Sequence, residues 1–404
     1  MQSPIVITGM GMVSPLGNSV NKSWQRLVNA QSGISTIDRF DTSNIPIKIA
    51  GTVPSISQDP SGGVDLNAIA DPKEQRKMDL FSLYALAAAQ EALAQADWFP
   101  VEQAQKRRTA TIIGSGIGGF PTITVPAFLA NLAAGNLSIR YGFQGPLGCP
   151  VTACAAGLQA IGDGMRIIRN GEADVALVGG AEACIDPLSL ASFNALKAVS
   201  TESDAPERAS RPFDNARNGF VMGEGAGVMV IETLDHAMAR GATPLAVISG
   251  YGTSADAYHL TAGPKDGSGA AAAIQAALGM AKLSPDAIDH INAHATSTPV
   301  GDRAEIASLR NVFGERLPAI PISATKAATG HLLGAAGGIE SIFSVLALRH
   351  QQLPPTINLE ACDEDMQDLT FVTSAHQHAT QHVLCNGFGF GGVNAALIVS
   401  SMER

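Results

Sequence analysis

A cysteine stands among unusually small residues in the segment VTACAAGLQAIGDGMRII, residues 151–168. Cys154 falls where an apolar run gives way to a helical pattern. At a helix N-terminus, the macrodipole and the free backbone N–H groups favour the thiolate, which is the nucleophilic form of cysteine. The same N–H groups can stabilise an oxyanion, and small neighbours leave room for an acyl group. We therefore expect an acyl-accepting thiol that reacts below the pH of a free cysteine; the alternative is a buried structural cysteine.

A histidine with hydroxyl neighbours stands in a second segment, INAHATSTPVGDRAE, residues 291–305. His294 follows an apolar run, and Thr296 and Thr298 come shortly after it. Asp302 and Glu305 lie at the start of the next predicted helix. A histidine at a strand end beside hydroxyls is typical of polar substrate contacts, and a hydrogen-bonded core histidine is the alternative.

Two further segments carry residues suited to chemistry. In ISATKAATGHLLGAAGG, residues 322–338, Lys326 and His331 precede an apolar helix. A lysine with so few charged neighbours needs an anionic partner, for which Glu305 is a candidate, unless Lys326 extends to solvent. In NGFGFGGVNAALIV, residues 386–399, glycines flank Phe388 and Phe390. Such a loop can move its aromatic rings and bring backbone N–H groups close to a ligand, whereas a tight hairpin is the alternative.

Alternating strands and helices must position these residues, and the pattern predicts a mostly parallel sheet with helices on both faces. The predicted strands are IVITGMGMV, TATIIGSGIGG, VALVGGAEA, GVMVIE, AVISGYG, DHINAHA, IPISAT, LTFVT and VLCNGF. The predicted helices are LFSLYALAAAQEALAQA, AAGLQAIGDGMRIIRNG, GSGAAAAIQAALGMAK, RAEIASLRNVFG and GGIESIFSVLALRHQ.

A faint internal repeat suggests two halves of similar plan. Ala-Ala-Gly and an apolar helix follow Cys154, and the same combination follows His331-Leu332-Leu333-Gly334. We place the division near residue 240, with residues 1–240 carrying the cysteine and residues 241–404 carrying the histidines, the lysine and the Gly/Phe loop.

Composition bounds the class of protein. The 404 residues are 46% hydrophobic and only 15% charged, with 42 glycines, which is typical of a compact α/β protein. A net charge of −10 argues against nucleic acid as a partner. No uncharged apolar run is long enough to predict a membrane span, and the first residues, MQSPIVITGMGMV, are interpreted as a strand rather than a signal peptide.

Cysteine and histidine usage gives no sign of a disulfide framework or a metal site. The five cysteines have no disulfide-like or metal-binding spacing, so a reducing cytoplasm is the simplest setting. His376, His378 and His382 lie in a polar segment and are interpreted as solvated. The glycine-rich GSGIGG, residues 114–119, lacks the acidic residue that a dinucleotide site needs further along the chain.

Together, TACAAG, NAHATSTPVGD, TKAATGHLLGAAGG and NGFGFGGVN stand in an order that closely resembles the β-ketoacyl-acyl-carrier-protein synthases of fatty-acid synthesis. The resemblance is strongest to the elongating type II enzymes and runs nearly from end to end. It implies the thiolase fold, with two ββαβα-type halves related by a pseudo-two-fold axis in a layered α-β-α-β-α core. It also implies a homodimer.

The resemblance further implies a decarboxylating Claisen condensation. Cys154 would take an acyl group from acyl carrier protein, and a malonyl unit on the same carrier would lose CO₂ and attack that thioester. His294 and His331 would donate hydrogen bonds to the malonyl thioester oxygen. Lys326 would hold His331 and an acidic network in place, the latter formed by Glu305 and Asp302. The backbone N–H groups of Cys154 and Phe390 would form the oxyanion hole.

The resemblance assigns substrate contacts to further residues and requires no metal or organic cofactor. Thr296 and Thr298 would contact the phosphopantetheine arm, and Phe390 would act as a gate beside Phe388. Ile117 and Phe193 would line the acyl pocket. Carrier proteins are acidic, so docking needs a local basic patch. The candidate docking residues are Lys73, Arg76, Lys77 and Lys197.

Two departures from the family pattern stand out. Ala295 replaces a glycine common after the first histidine, and a stretch usual in relatives is missing after Phe120. Three related classes remain as alternatives. A thiolase would carry a second cysteine in a Cys-x-Gly-Gly-Gly loop, whereas Cys385 precedes Asn-Gly-Phe here. A polyketide ketosynthase is closer, and a chain-length-factor-like scaffold would lack the nucleophile that Cys154 provides.

Overall fold

A computed structural model describes residues 3–119 and 125–402. The segment after Phe120, where the sequence predicts a shortening, lies outside the described residues. The described strands are β1 Ile5–Val13, β2 Ser35–Thr36, β3 Ile49–Ala50, β4 Thr109–Gly114, β5 Leu147–Gly148, β6 Val175–Glu182, β7 Gly225–Thr233, β8 Ala246–Ala255, β9 His290–Asn292, β10 Ile322–Ser323, β11 Gln352–Leu353, β12 His376–Gln377, β13 His382–Gly389 and β14 Val393–Ser400.

Helices separate most of these strands. They are α1 Val20–Val28, α2 Leu66–Ile69, α3 Pro72–Gln75, α4 Leu80–Ala96, α5 Gln103–Arg107, α6 Val125–Phe128, α7 Leu132–Tyr141, α8 Ala156–Arg169, α9 Pro187–Ala195, α10 Leu234–Ala239, α11 Ser268–Ala281, α12 Pro299–Phe313, α13 Lys326–Thr329 and α14 Ala336–His350. Short 3₁₀ turns cover Ala153–Ala155, Pro206–Arg208, Pro285–Ala287, Gly314–Ala319, Leu333–Ala335 and Glu364–Met366.

Ten strands form one mixed sheet in the order β10-β9-β13-β14-β8-β1-β7-β6-β4-β5. The three strands at each end of this order pair in parallel. The strands between them pair antiparallel. The prediction of a mostly parallel sheet is therefore wrong. Periodicity identified the strands but could not give their directions, because a buried strand is apolar along its whole length in either case.

The strand order repeats on the two sides of the junction between β1 and β8. From that junction outward, one side runs β1-β7-β6-β4-β5 and the other runs β8-β14-β13-β9-β10, with the same pattern of parallel and antiparallel pairs. The predicted division at residue 240 falls between α10 and β8, and the exact boundary stays a prediction.

Helices cover each set of strands and also fill the space between the sets. α4 packs on β1 and β7 with α7 beside it, and α11 packs on β8 and β14 with α12 beside it. α8 and α14 contact each other and strands of both sets. This arrangement is a layered α-β-α-β-α core, as the thiolase fold requires. Three large apolar clusters lie between its layers.

Glycine allows the two central helices to meet at their first turns. A Cβ on Gly157 would lie 2.8 Å from both Gly334 O and Gly338 N. A Cβ on Gly337 would lie 2.5 Å from Leu158 N. The repeated Ala-Ala-Gly therefore marks the places where α8 and α14 approach backbone to backbone, which brings both helix starts, and the residues just before them, together.

Two further differences from the sequence analysis concern strands. LTFVT, residues 369–373, makes only an isolated bridge between Phe371 and Ile322. The glycine loop after residue 389 leads into β14, which the sequence analysis had not assigned as a strand. Among the described residues, no helix combines the length and apolarity needed to cross a bilayer.

Candidate active site

Cys154 occupies the centre of a strained turn at the start of α8. The 3₁₀ turn Ala153–Ala155 leads directly into the helix, and Ala153 has a φ of +49°. The cysteine is 8% exposed. Left-handed backbone at a residue other than glycine is uncommon and is often found at functional sites. The turn places the thiol at the positive end of the helix dipole.

The second half presents a matching turn. Leu333, with a φ of +46°, opens the 3₁₀ turn Leu333–Ala335 at the start of α14. His331 lies just before this turn, and its backbone N–H donates to Val221 O at 2.7 Å. Its Nε2 atom lies 2.9 Å from Cys154 Sγ. A neutral imidazole carries one N–H, so this contact fits donation by the thiol or by the ring.

His294 completes a group of three reactive side chains. It follows β9, and its ring centroid lies 5.4 Å from that of His331 in an edge-to-face arrangement. Its backbone N–H donates to Glu305 Oε1 at 2.8 Å, and the N–H of Ala295 donates to Oε2 at 2.7 Å. Asn386 donates from Nδ2 to the same carboxylate at 3.0 Å. Glu305 therefore fixes the backbone that carries His294.

Asp302 supports the same loop from its other end. It accepts hydrogen bonds from the backbone N–H groups of Thr296 and Phe213, at 3.0 and 2.9 Å. Arg217 lies 3.3 Å from its carboxylate. Burial raises the pKa of Asp302 to about 6, although these donors and Arg217 oppose that rise. Both acidic residues of the predicted network are thus buried, and together they accept from the backbone N–H groups of residues 294–296.

Lys326 is buried, with 1% exposure, and its partner is Glu340. Nζ lies 2.5 Å from Glu340 Oε1. The prediction of Glu305 as the partner is wrong, because Glu305 is occupied by the backbone around His294 and by Asn386. The sequence carried a signal that we missed: Glu340 is the lone acidic residue of the apolar helix GGIESIFSVLALRHQ. An isolated charge in a buried helix needs an opposite charge nearby.

The two histidines are neutral in this environment. Burial lowers the pKa of both His294 and His331 well below the usual value, and the charge of Lys326 lowers both further. Burial raises the pKa of Glu340 to about 7, against the attraction of Lys326. Burial also raises the pKa of Glu305. Each neutral ring keeps one N–H that can be donated to an oxygen.

The thiol differs from the sequence prediction. Burial raises the pKa of Cys154 to about 12, and the nearby carboxylate of Glu182 also raises it. Lys326 and the backbone N–H groups of Phe390 and of Cys154 itself act in the opposite direction. This burial opposes the expectation of a thiol that reacts below the pH of a free cysteine, because the local sequence shows a helix start but not the depth at which the thiol is buried.

One cavity of about 340 Å³ joins these groups. Cys154, His294 and His331 line it. Phe220 packs edge-to-face on His331, with ring centroids 5.4 Å apart, and was not predicted from the sequence. The other predicted residues on the cavity wall are Thr296, Thr298, Glu305, Phe388, Phe390, Phe193 and Lys197.

Ile117 stands apart from this lining. It packs in an apolar cluster that also contains Cys154, Leu333 and Phe193. This cluster extends from the thiol on the side of the turn 115–118, where an acyl chain attached to Cys154 would need apolar surroundings.

The Gly/Phe loop joins β13 to β14 beside the thiol. Phe388 packs against His294, with ring centroids 5.5 Å apart. Gly391 and Gly392 have φ values of +87° and +75°, which favour glycine, and the N–H of Gly391 donates to Leu260 O at 2.7 Å. The end of β13 therefore brings Phe388 to the cavity, and the loop after it brings Phe390 there, with its N–H near the sulfur.

The predicted docking residues lie in two places. Lys73 is on the short helix α3, Arg76 and Lys77 follow it, and all three are exposed. Lys197 is exposed and lies on the cavity wall. Only Lys197 is thus placed beside the reactive groups; the other three residues do not line the cavity.

Comparison with known proteins agrees with this geometry. The models for the β-ketoacyl synthase N-terminal and C-terminal domains match residues 2–237 and 245–360. The chain is 43% identical to the 3-oxoacyl-(acyl-carrier-protein) synthase 2 of Vibrio cholerae over 418 residues. This alignment covers 98% of this chain and 99% of the relative. It therefore belongs to the β-ketoacyl synthase family.

Solved structures agree on the fold. A β-ketoacyl synthase from Burkholderia phymatum matches with a TM-score of 0.89 and 33% identity, over 99% of this chain and 100% of that one. A type II polyketide ketosynthase, solved in complex with its acyl-carrier protein, matches with a TM-score of 0.86 and 30% identity over the full length of both chains. The predicted thiolase-type fold is confirmed, and the chain is a condensing enzyme of the acyltransferase class.

Proposed function

We propose that this enzyme elongates fatty acids by condensing an acyl group on Cys154 with malonyl-acyl-carrier protein, giving a β-ketoacyl-carrier protein. The observation that carries the proposal is the 2.9 Å contact between Cys154 Sγ and His331 Nε2, with the ring of His294 5.4 Å from that of His331. A nucleophile and two neutral N–H donors then face one cavity. This arrangement suits acyl transfer followed by stabilisation of an enolate.

In the first half-reaction, Cys154 attacks the thioester of an acyl-carrier protein. The buried thiol must lose its proton as it attacks, and the sulfur of the departing carrier arm is its final acceptor; the contact of 2.9 Å to His331 Nε2 holds the thiol in place for the attack. The backbone N–H groups of Cys154 and Phe390, which both face the sulfur, would donate to the oxyanion. The proton then leaves with the thiol of the departing carrier arm.

In the second half-reaction, malonyl-carrier protein loses CO₂ and the resulting carbanion attacks the Cys154 thioester. The N–H groups of His294 and His331 would donate to the malonyl thioester oxygen as enolate charge develops there. Burial, and after it the charge of Lys326, lowers the pKa of both rings and favours their neutral form, and Lys326 adds positive charge to the site. Decarboxylation itself supplies the carbanion, so no metal or organic cofactor is required.

The carrier arm would enter along the two threonines. Thr296 Oγ1 and Thr298 Oγ1 lie 3.0 Å apart on the cavity wall and can hydrogen-bond the amides of a phosphopantetheine chain. The protein is acidic overall, so an acidic carrier needs local positive charge. Lys197 would meet it at the cavity, and Lys73, Arg76 and Lys77 would meet it on and after α3.

A second copy of the chain is the proposed partner of the sheet edge at β5. β5 is the terminal strand of the sheet, and exposed apolar side chains surround it in the sequence. An edge strand with apolar neighbours is suited to pairing with an identical edge across a two-fold axis. The exposed side chains are Phe128, Leu129, Ile139, Leu147 and Val151.

A cytoplasmic location fits the thiol chemistry. All five cysteines are free, and Cys154 must stay reduced to act as a nucleophile. This proposal rests on the chemistry of the cysteines and can be checked by fractionating cells that express the full chain.

The test is an intact-mass assay with acyl-carrier proteins of increasing chain length, followed by malonyl-carrier protein. We expect a mass gain equal to the acyl group, then its loss with formation of the β-ketoacyl product. The Cys154→Ala variant should show no mass gain, whereas Cys149→Ala, at a nearby free cysteine, should behave as the unchanged protein. No acylation of the folded protein by any chain length would refute the proposal. Acceptance of polyketide intermediates alone would favour a polyketide ketosynthase.

A further inference from the structure

A buried carboxylate that the proposed reaction does not consume lies between the two catalytic turns. Glu182 ends β6 and has no exposed surface. Within the described part of the chain, its hydrogen-bond partners are N–H and hydroxyl groups, and none is a basic side chain. A buried carboxylate is costly unless its oxygens are well satisfied, so five donors converging on one group mark a specific structural demand.

Four of the five donors come from one turn, residues 115–118. Glu182 Oε1 accepts from Ser115 Oγ at 3.0 Å, from Gly118 N at 3.2 Å and from Ile117 N at 3.3 Å. Oε2 accepts from Gly116 N at 2.6 Å. The carboxylate therefore determines the backbone path on which Ile117 stands.

The fifth donor comes from the turn that follows His331. Gly334 N donates to Glu182 Oε2 at 3.0 Å. The two turns are also in direct contact, because a Cβ on Gly334 would lie 2.2 Å from Gly116 N. A Cβ on Gly116 would lie 2.8 Å from Glu182 Oε2. One carboxylate oxygen is thus shared by the turn that carries Ile117 and the turn that follows His331.

Ile117 joins this arrangement to the acyl pocket. Its side chain packs in the apolar cluster that contains Cys154, Leu333 and Phe193. An acyl chain on Cys154 that extends into this cluster must be accommodated by Ile117. How far the Ile117 side chain can move depends on how firmly its backbone is fixed, and the hydrogen bonds to Glu182 fix that backbone.

We propose that Glu182 is a positioning residue that sets acyl-chain discrimination by fixing Ile117, and that the same carboxylate keeps the turn after His331 in register with the acyl pocket. This inference rests on the proposed function. A long chain would press on a turn that cannot yield without loosening Gly334 as well. Discrimination between chain lengths would then come from the rigidity of the turn in addition to the volume of the pocket.

The test compares Glu182→Gln with the unchanged full-length protein, using acylation rates of Cys154 by short-chain and long-chain carrier proteins. An amide nitrogen in place of one oxygen faces N–H donors instead of accepting from them. In place of Oε1 it removes the acceptor of Ser115, Ile117 and Gly118, and in place of Oε2 it removes the acceptor of Gly116 and Gly334, so the turn 115–118 loses hydrogen bonds in either orientation. We expect the ratio of the rates for the best and worst chain lengths to fall about tenfold, equal to about 1.4 kcal/mol of lost discrimination. A purely structural defect would lower both rates equally and leave the ratio unchanged.

Glu91→Gln is the matched control. Glu91 is a largely buried carboxylate of α4 that accepts the N–H groups of Met12 and Val20, and it does not line the cavity. Its replacement should leave the chain-length ratio unchanged. A second readout needs no substrate: the charge of Glu182 raises the pKa of Cys154, so Glu182→Gln should move alkylation of Cys154 by iodoacetamide to lower pH.

The outcomes separate the two proposals. If the unchanged protein is not acylated, the proposed function fails. If it is acylated and Glu182→Gln keeps its full discrimination, the inference is overturned whatever the alkylation profile shows. If Glu182→Gln does not fold, Glu182→Asp is tested in its place, because it keeps the charge but draws the carboxylate away from the turn 115–118. The ratio of acylation rates should still fall in this variant. If neither variant folds, the residue is structural and the inference is also overturned.

Discussion

Replacing Lys326 with methionine should destabilise the protein and make that destabilisation depend on pH. Lys326 Nζ lies 2.5 Å from Glu340 Oε1, and both side chains are almost fully buried. Methionine keeps an unbranched side chain, one heavy atom shorter than that of lysine, but removes the charge. The substitution therefore leaves a carboxyl group in the core without its cation.

The expected loss of stability depends on whether Glu340 can take up a proton once Lys326 is absent. Removing one partner of a buried ion pair typically costs about 3–5 kcal/mol. Burial already raises the pKa of Glu340 to about 7 while Lys326 is present. Without the lysine the pKa rises further, so the folded protein keeps this proton near neutral pH. Protonation limits the loss to the lower part of that range, about 3 kcal/mol at pH 6.

The raised pKa of Glu340 also determines the direction in which the free energy of unfolding changes with pH. A carboxyl group whose pKa is raised by folding binds more protons in the folded than in the unfolded state, so the free energy of unfolding falls as pH rises. In Lys326→Met this fall begins near the ordinary pKa of glutamate, 4.5, and continues past the value of about 7 that Glu340 has in the unchanged protein. The variant should thus lose more stability at pH 8.5 than at pH 6.

Urea unfolding of three proteins at both pH values checks this reasoning. The double variant Lys326→Met/Glu340→Gln buries no charge and should recover about 2 kcal/mol or more of the lost free energy. Condensation should stay slow in the double variant, because the cation that favours negative charge in the cavity is absent. A single variant as stable as the unchanged protein at both pH values, or a double variant as unstable as the single one, would refute the argument.

Three further outcomes are expected. Without added acyl donor, alkylation of Cys154 should reach half its maximal rate above pH 9, since burial raises the pKa of the thiol to about 12; a profile centred near pH ~8.5, as for free cysteine, would contradict this. Burial raises the pKa of Glu91 to about 7, so this residue makes the free energy of unfolding fall as pH rises from 4.5 to about 7. In Glu91→Gln this fall should be smaller, by at most about 1.4 kcal/mol per pH unit, as urea titrations would show. Gly337→Val should lower the thermal midpoint strongly, because its Cβ would meet Leu158 N at 2.5 Å; a midpoint within a degree of the unchanged protein would exclude close helix contact.

Helices and the order of the reactive residues were predictable from the sequence. The helix predicted from LFSLYALAAAQEALAQA coincides with α4, and the helix after Cys154 differs from α8 by two residues or fewer at each end. Long apolar helices carry a strong local signal, and capping fixes their ends: Asp79 accepts from Phe81 N at the start of α4. The four motifs also meet in one cavity, as their order and family resemblance suggested.

Long-range features were not predictable in the same way. The direction of each strand depends on how the chain returns to the sheet. LTFVT, which was predicted as a strand, forms only a single bridge at Phe371. The pairing of Lys326 with Glu340 joins α13 to α14: the sequence marks Glu340 as an isolated charge in an apolar helix but does not show which cation it meets. The pKa of Cys154 depends first on its burial and then on groups far away in the sequence, Lys326, Glu182 and Phe390, so the helix start alone does not give the direction of the shift.

The two matching turns also fix which half of the protein can act. Cys154 and Gly334 hold the same place, each at the centre of a 3₁₀ turn before a central helix. Any side chain at Gly334 would collide with Gly116 N at 2.2 Å, whereas the corresponding position in the first half has room for a thiol. The pseudo-two-fold symmetry of the two turns is therefore broken at this position, where the first turn carries a thiol and the second has no room for a side chain. A designer who wished to move the nucleophile across the pseudo-two-fold axis, or to install a second one, would have to rebuild the turn 115–118 before changing Gly334.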